Sequence, residues 1–133
     1  MCRFCELIRN KDAVIVSETK HSIAFMDKFP LNDGHLLVIP KVHIADFYDL
    51  PMEEYTEIFS EVKRISEVVK KVYNPKKVGL FILGFEFDHV HIHIIPLYEH
   101  YYLDPSGERT MIEASQDSLL QNQKKIKEFL VKS

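Results

Sequence analysis

The stretch HVHIHII at residues 89–95 constrains the fold most strongly, because polar and apolar residues alternate through its first six positions. Side chains of a β-strand point to opposite faces in turn, so a strand here would present His89, His91 and His93 on one face. The apolar residues between them would share the other face and could enter a core. We therefore predict a strand with one apolar face and one face made of three imidazoles.

Three of the seven histidines lie within five residues, which surface polarity does not explain, since lysine, threonine or glutamate would serve as well. The spacing alone leaves two interpretations open. In the first, the row binds zinc or another transition metal, and a catalytic zinc would need three protein ligands and an open position. In the second, one neutral imidazole is a nucleophile towards phosphorus, and its neighbours fix its tautomer or stabilise phosphoryl oxygens.

The rest of the chain alternates between strand-like and helix-like patterns. Short β-branched or aromatic runs predict strands, and apolar residues at every third or fourth position predict helices. The predicted elements are a helical turn at 3–9, strands at 13–18, 22–27 and 35–40, a helix at 51–73, strands at 78–84 and 87–96, and a helix at about 115–131. The last two strands are separated by a short connection, which predicts an antiparallel hairpin. This order indicates an α+β fold with an antiparallel sheet.

Length and composition predict one folded domain, residues 1–133, because 46% of the residues are hydrophobic and the chain is too apolar to stay disordered. A net charge of −3 gives no broad basic field, so we expect no nucleic acid partner. We also expect no membrane partner, since no segment approaches the ~20 apolar residues that span a bilayer. Only two cysteines are present, and they make no disulfide framework, which favours a reducing cytoplasmic location, with the nucleus as an alternative.

Three segments together resemble the histidine triad (HIT) family. They are AFMDKFP at 24–30, GHLLVIPKVHI at 34–44 and HVHIHIIP at 89–96, in the order and spacing of that family. The resemblance covers residues 2–98, and residues 99–133 form a C-terminal extension that it does not carry. It implies a HIT-like fold, with a five-stranded antiparallel sheet, one long helix and a C-terminal helix. It also implies a homodimer.

The resemblance further implies an enzyme, a nucleotide hydrolase or transferase that cleaves at the α-phosphate of nucleoside phosphoramidates or dinucleoside polyphosphates. His91 corresponds to the nucleophile that forms a covalent nucleotidyl-histidine, and His93 to the residue that holds phosphate oxygens. His89 and His43 would support and orient the nucleophile. An alternative function is a module that binds AMP or GMP with little turnover.

Further residues of the chain correspond to the family's binding site for a purine nucleotide. Asp27 would accept the ribose hydroxyls, although an Asp at this position could equally form a turn. Phe4, Leu7 and Phe25 would line an apolar pocket for the base, and plain core packing is the alternative for Phe25. Glu86 lies in a shortened loop before the triad, where the family usually has polar residues for phosphate or leaving group. Glu86 could act as a general acid for the leaving group, or it could repel long polyphosphate chains and so favour phosphoramidates or short conjugates.

The N-terminal CxxC has three interpretations when taken by itself: a redox pair, two buried thiols or two metal ligands. In many microbial HIT proteins such a pair binds zinc together with two histidines. Those ligands correspond to Cys2, Cys5, His43 and His89 in this chain. Two cysteines and two histidines make a closed tetrahedral site, which is structural and not catalytic. The resemblance therefore implies a structural zinc as the cofactor.

Overall fold

The computed structural model describes residues 2–99 and 112–132. Of the predicted C-terminal extension, residues 100–111 and 133 lie outside the described residues. The elements in chain order are α1 (Arg3–Asn10), β1 (Ile15–Glu18), β2 (Ser22–Met26), β3 (Leu36–Pro40), a 3-10 turn (Phe47–Asp49), α2 (Met52–Tyr73), β4 (Lys77–Phe81), β5 (Ile92–Leu97) and α3 (Gln116–Lys132). The strands form one sheet in the order β1-β2-β3-β5-β4, and every neighbouring pair is antiparallel. The α+β class, the five-stranded antiparallel sheet and both predicted helices are therefore confirmed.

Helix α2 has the features that its sequence predicts. Pro51 precedes the first helical residue, Glu53 and Glu54 lie at the positive end of the helix dipole, and Asn74 ends the helix in a left-handed conformation. The N–H of Asn74 donates to the carbonyl oxygen of Lys70 at 3.0 Å. One stripe of the helix is buried against the sheet: Ile58, Val62, Ile65, Val68 and Val69.

The sheet has a different environment on each face. On one face, β-strand side chains pack with α2 and α3 in the larger core, which includes Ala24, Met26, Leu36, Val38, Leu119 and Ile126. On the other face, the alternate residues of β2 and β3 pack against α1 in a smaller cluster of Phe4, Ile23, Phe25, Leu37 and Ile39. Because Val90, Ile92 and Ile94 belong to the larger core, the histidines between them face the α1 side.

Helix α3 is fixed to the rest of the fold by side-chain hydrogen bonds as well as by its apolar stripe. The hydroxyl of Tyr73 donates to Asn122 Oδ1 at 2.6 Å, and Gln123 Nε2 donates to the carbonyl oxygen of Ile15 at 2.6 Å. None of the helices in the described part of the chain has the length and apolar composition needed to cross a bilayer.

The two strands predicted at 78–84 and 87–96 pair as expected, but the predicted bounds and the short connection between them are wrong. Strand β4 ends at Phe81 and β5 begins at Ile92, so ten residues, 82–91, join them. Gly84 lies in this connection with a φ of 74°, a conformation that glycine adopts without strain. The N–H of Val90 then donates to the carbonyl oxygen of Ile44 at 2.8 Å, so this stretch is held by the loop after β3 and not by β4.

Candidate functional site

The three histidines lie side by side beneath α1, and all are buried, with exposed fractions of 0% for His89, 9% for His91 and 7% for His93. The ring of Phe4 packs over two of them, at centroid distances of 5.8 Å from His89 and 5.1 Å from His91. The His91 and His93 rings are 5.3 Å apart. Helix α1 therefore covers the row and excludes water from most of it.

The middle histidine has one ring nitrogen fixed by the backbone. His91 Nδ1 lies 2.8 Å from the carbonyl oxygen of His89. A carbonyl oxygen can only accept, so Nδ1 carries the proton and donates it. The neutral ring then has its lone pair on Nε2. This arrangement gives His91 an unprotonated nitrogen that is not used by the hydrogen bond.

The first histidine is held in the opposite sense. His89 Nε2 donates to the carbonyl oxygen of Pro40 at 2.8 Å, which leaves the lone pair on Nδ1. That nitrogen lies 3.5 Å from Cys2 Sγ and 3.6 Å from Cys5 Sγ. Burial holds the pKa of His89 below its ordinary value, and the neighbouring His43 and His91 add to this effect. The ring is therefore neutral and directs a lone pair towards the two thiols.

The four predicted metal ligands lie together. Cys2 and Cys5 lie at the start of α1, three residues apart and therefore on one face of that helix. Cys5 Sγ lies 3.3 Å from Nδ1 of the exposed His43, and the donor atoms of Cys2, Cys5, His43 and His89 all lie within 4.8 Å of one another. Tetrahedral zinc bonds place sulfur and nitrogen ligands roughly 3.5 Å apart, so these distances fit a metal ion.

The cysteine pair has a charge requirement that a metal would meet. Burial raises the pKa of Cys5, and the nearby Cys2 thiol raises it further, so the thiolate form is disfavoured while no cation is bound. Two thiolates side by side would need a cation to neutralise them, and a bound divalent metal supplies that charge. The residues Cys2, Cys5, His43 and His89 could therefore hold a metal.

The third histidine contacts a second buried group. His93 Nδ1 lies 2.9 Å from His35 Nε2 and 3.8 Å from Asp27 Oδ2. Asp27 Oδ2 lies 3.2 Å from His35 Nε2, and Asp27 Oδ1 accepts from the N–H of Phe29 at 2.8 Å. Asp27 thus forms the turn that we considered as its alternative role, and it is only 5% exposed.

Two phenylalanines of the site were missed by the sequence analysis. Phe81 stacks on His93, with ring centroids 4.1 Å apart and an interplanar angle of 17°. Phe87 packs edge-on against Phe4 at 5.2 Å and lies 6.2 Å from His91. The signal that could have found Phe81 is the register of β4 against β5, which places Phe81 opposite His93 and was not predicted.

The residues predicted to bind the base are close together, and the predicted leaving-group residue is exposed. Phe4 and Phe25 are buried with ring centroids 6.2 Å apart, and the half-buried Leu7 packs against the same cluster. Glu86 is exposed in loop 82–91, next to Phe85, which is 84% exposed.

A five-stranded antiparallel sheet that carries a row of three buried histidines beneath a short N-terminal helix defines the histidine triad class of α+β proteins. The family model described as HIT domain matches residues 9–100, so the chain belongs to the HIT family. The predicted family is therefore confirmed.

The chain is similar to several known proteins. It is 41% identical over 104 residues to an uncharacterised HIT-like protein of Methanocaldococcus jannaschii, with 74% of this chain and 81% of the relative covered. It is 39% identical over 97 residues to an adenosine 5′-monophosphoramidase of Saccharomyces cerevisiae, with 71% of this chain and 61% of the relative covered. A crystal structure of a hypothetical histidine triad nucleotide-binding protein of Sulfolobus tokodaii superposes with a TM-score of 0.83 at 28% identity, covering 98% of this chain and 93% of that one.

Proposed function

We propose that the protein cleaves nucleoside phosphoramidates or dinucleoside polyphosphates at the α-phosphate, with His91 as nucleophile. The nucleotidyl group is transferred to water or to another acceptor. The observation that carries this proposal is the hydrogen bond from His91 Nδ1 to the His89 carbonyl oxygen, because it leaves a lone pair on Nε2. The similarity to an adenosine 5′-monophosphoramidase supports the phosphoramidate substrate class.

The reaction has two displacements at phosphorus. His91 Nε2 forms a bond to the α-phosphorus while the bond from phosphorus to the leaving amine breaks, and the amine takes a proton from water. The Nδ1–H of His91 stays on the ring and donates to the His89 carbonyl, which stabilises the positive charge of the phosphorylated imidazole. Water then attacks phosphorus, the phosphorus–nitrogen bond to His91 breaks, and the nucleoside monophosphate leaves as the water proton is released.

The remaining predicted residues have roles in binding in this proposal. His93 holds non-bridging phosphate oxygens, and Phe4, Phe25 and Leu7 contact the purine base with their apolar surfaces. A carboxylate has about four lone-pair sites, so Asp27 can accept ribose hydroxyls in addition to its turn contact. Glu86 is exposed, and we assign it an effect on the leaving group and not on the attacking histidine.

We propose that the metal held by Cys2, Cys5, His43 and His89 is zinc and that its role is structural. Four protein ligands leave no open position for substrate, so the ion ties the start of α1 to the loops that carry the two histidines. In this position it orients His89, whose carbonyl oxygen fixes the tautomer of the nucleophile.

Three further proposals concern the whole protein. We propose a homodimer in which β4, an edge strand with Leu80 49% exposed, lies at the interface. We also propose a cytoplasmic or nuclear location and one domain over residues 1–133. Light scattering at micromolar concentration tests the first, and a monomer would contradict it.

A second candidate function is nucleotide binding with little turnover. Loop 82–91 favours it, because the exposed Phe85 and Glu86 lie where the family usually has other residues that bind phosphate or assist the leaving group. The two candidates share the pocket and differ in whether bound nucleotide conjugates are cleaved.

The experiment compares the wild type with His91→Asn, using an adenosine 5′-phosphoramidate and diadenosine tetraphosphate as substrates. His21→Asn is the matched control, because His21 lies in the β1–β2 turn beside Glu54 and Glu57, on the opposite side from the triad row. We expect His91→Asn to lose at least about a thousandfold in kcat while AMP binding persists, because a nucleophile has no substitute in a two-step displacement.

Three outcomes distinguish the proposals. Turnover by the wild type that is lost only in His91→Asn supports the nucleophile. Turnover that persists in His91→Asn contradicts it. Tight AMP binding by the wild type without single-turnover cleavage of either substrate supports the binding module instead.

A further inference from the structure

His35 is a fourth histidine of the site, and the triad row does not include it. It is fully buried, and it lies one residue before β3, next to Gly34. Its Nδ1 lies 3.0 Å from the backbone nitrogen of Leu31. A backbone N–H can only donate, so Nδ1 of His35 must carry the lone pair, and the proton of the neutral ring must be on Nε2.

The proton on His35 Nε2 determines the tautomer of His93. The two nitrogens, His35 Nε2 and His93 Nδ1, are 2.9 Å apart, which is a hydrogen-bond distance. Only one of them can carry a proton between the rings, so His93 Nδ1 is the acceptor. The proton of the neutral His93 ring is therefore on Nε2, the nitrogen that points away from His35.

We propose that His35 is a positioning residue, which fixes His93 in the tautomer that donates from Nε2 to the substrate's phosphate oxygens. The donation to phosphate oxygens rests on the proposed function, whereas the tautomer of His93 is a property of the protein without substrate. The chain of hydrogen bonds begins at a backbone amide, so its direction is independent of substrate. A donor aligned in advance costs no reorganisation when charge develops on the phosphoryl oxygens.

Two neighbouring groups hold this arrangement in place. The ring of Phe81 stacks on His93 and restricts rotation of the imidazole, which would otherwise exchange its two nitrogens. Asp27 Oδ2, 3.2 Å from His35 Nε2, places a carboxylate beside the shared proton and polarises the His35 N–H.

Asp27, His35 and His93 also have the composition of a metal site, but their spacing favours the hydrogen bond. Two nitrogens bound to one tetrahedral zinc lie roughly 3.3 Å apart, given zinc–nitrogen bonds of about 2.0–2.1 Å. The observed 2.9 Å is shorter, and one of the two nitrogens carries a proton.

The experiment measures the tautomer directly. Protein labelled with ¹⁵N at histidine is studied by long-range ¹H–¹⁵N NMR in the absence of nucleotide, and the His93 signals are assigned by their loss in His93→Asn. We expect Nδ1 of His93 to have the shift of an unprotonated ring nitrogen and Nε2 that of a protonated one. A protonated Nδ1 in the wild type would overturn the proposal, whether or not the protein turns over any substrate.

Two variants then test the role of His35. His35→Leu removes the donor, and we expect His93 to lose its single tautomer and kcat to fall with little change in KM. Partners that orient functional histidines are worth about 10–100-fold in metal sites, and we expect a loss of similar size. His35→Gln keeps an amide donor near the position of Nε2 and should restore both the NMR signature and most of kcat.

The outcomes separate this proposal from the proposed function. If both His35 variants keep the wild-type His93 signals, His35 does not position the ring. If the wild type shows the expected tautomer and His35→Leu loses it, but no substrate is cleaved by any of the proteins, the positioning stands and the proposed function fails. If His35→Leu does not fold, the His35→Gln and wild-type spectra decide the assignment.

Discussion

Gly34→Ala tests how the loop before β3 positions the site, because the structure gives this glycine two separate constraints. Its φ is 93°, which residues other than glycine rarely adopt. An alanine held in this conformation costs about 1–2 kcal/mol of backbone strain. A Cβ at this position would also lie 2.5 Å from Cε2 and 2.7 Å from Cζ of Tyr73. That ring is packed and hydrogen-bonded to Asn122, so it cannot move cheaply, and overpacking adds about 1–3 kcal/mol.

The expected loss is therefore about 3 kcal/mol of unfolding free energy, or a fall of about 10 °C in Tm. Two glycines of the same chain serve as controls. Gly84 has a positive φ of 74° but its nearest neighbour is 3.7 Å away, so Gly84→Ala should lose only the strain of about 1–2 kcal/mol. At Gly79 the close contact of an added Cβ would be with Cδ1 of Leu97 at 2.8 Å, the end of a side chain that can rotate, so Gly79→Ala should change stability by less than about 1 kcal/mol.

The assay is urea unfolding of the wild type and the three variants, all in the same buffer with the same zinc concentration. The slope of each transition should stay constant, because the surface exposed on unfolding is unchanged. We expect the order of destabilisation to be Gly34→Ala, then Gly84→Ala, then Gly79→Ala. An equal effect of Gly34→Ala and Gly79→Ala would refute both the strain and the close approach of Tyr73.

Two further predictions concern the metal and a buried carboxylate. Removal of the proposed structural zinc by a chelator should lower the unfolding temperature of the wild type and leave that of Cys5→Ser unchanged. Any turnover that the wild type shows should persist while it stays folded. Activity that falls in proportion to metal loss would indicate a catalytic ion instead. Burial opposes the ionisation of Glu61, but hydrogen bonds from Arg64 and Ser17 outweigh it and hold the pKa of that carboxyl below its ordinary value. A lowered pKa stabilises the fold above the ordinary glutamate value of 4.5, and this stabilisation is lost as pH falls below it. Glu61→Gln should therefore lower the free energy of unfolding by about 1–3 kcal/mol at pH 7 and by less in acid. Urea unfolding at both pH values measures this loss. A loss that does not change with pH would contradict the prediction.

Periodicity predicted most of the fold correctly. The alternation around the triad and the 3–4 spacing of α2 are local properties, so each element's type and its buried face could be assigned without knowing its neighbours. The length of loop 82–91 could not be predicted from periodicity. The alternating pattern already begins at His89, although the strand begins only at Ile92. Strand pairing depends on which partner backbone is in reach, and Val90 bonds to Ile44 instead of β4.

In the candidate site too, local motifs could be predicted and contacts that depend on strand pairing could not. The triad, the cysteine pair and Asp27 were recognisable as motif positions, and the metal ligands lie together as expected. The contact of His35 with His93 could not be predicted from the motif, because it arises only from the pairing of β3 with β5, which places Leu37 opposite His93. Phe81 was missed for the same physical reason, since its contact with His93 is set by the register of β4 against β5.

The most direct test of the proposed mechanism is to locate the covalent intermediate. The protein is mixed with an adenosine 5′-phosphoramidate labelled at phosphorus, and the reaction is quenched in alkali within a single turnover. The labelled residue is identified by digestion and mass spectrometry. The ring nitrogen that carries the label is then assigned by NMR. We predict that the adenylyl group is bound to Nε2 of His91, the nitrogen left unprotonated by the bond from Nδ1 to the His89 carbonyl. A label on another residue or on Nδ1 of His91, or product formation without any labelled protein, would contradict the account.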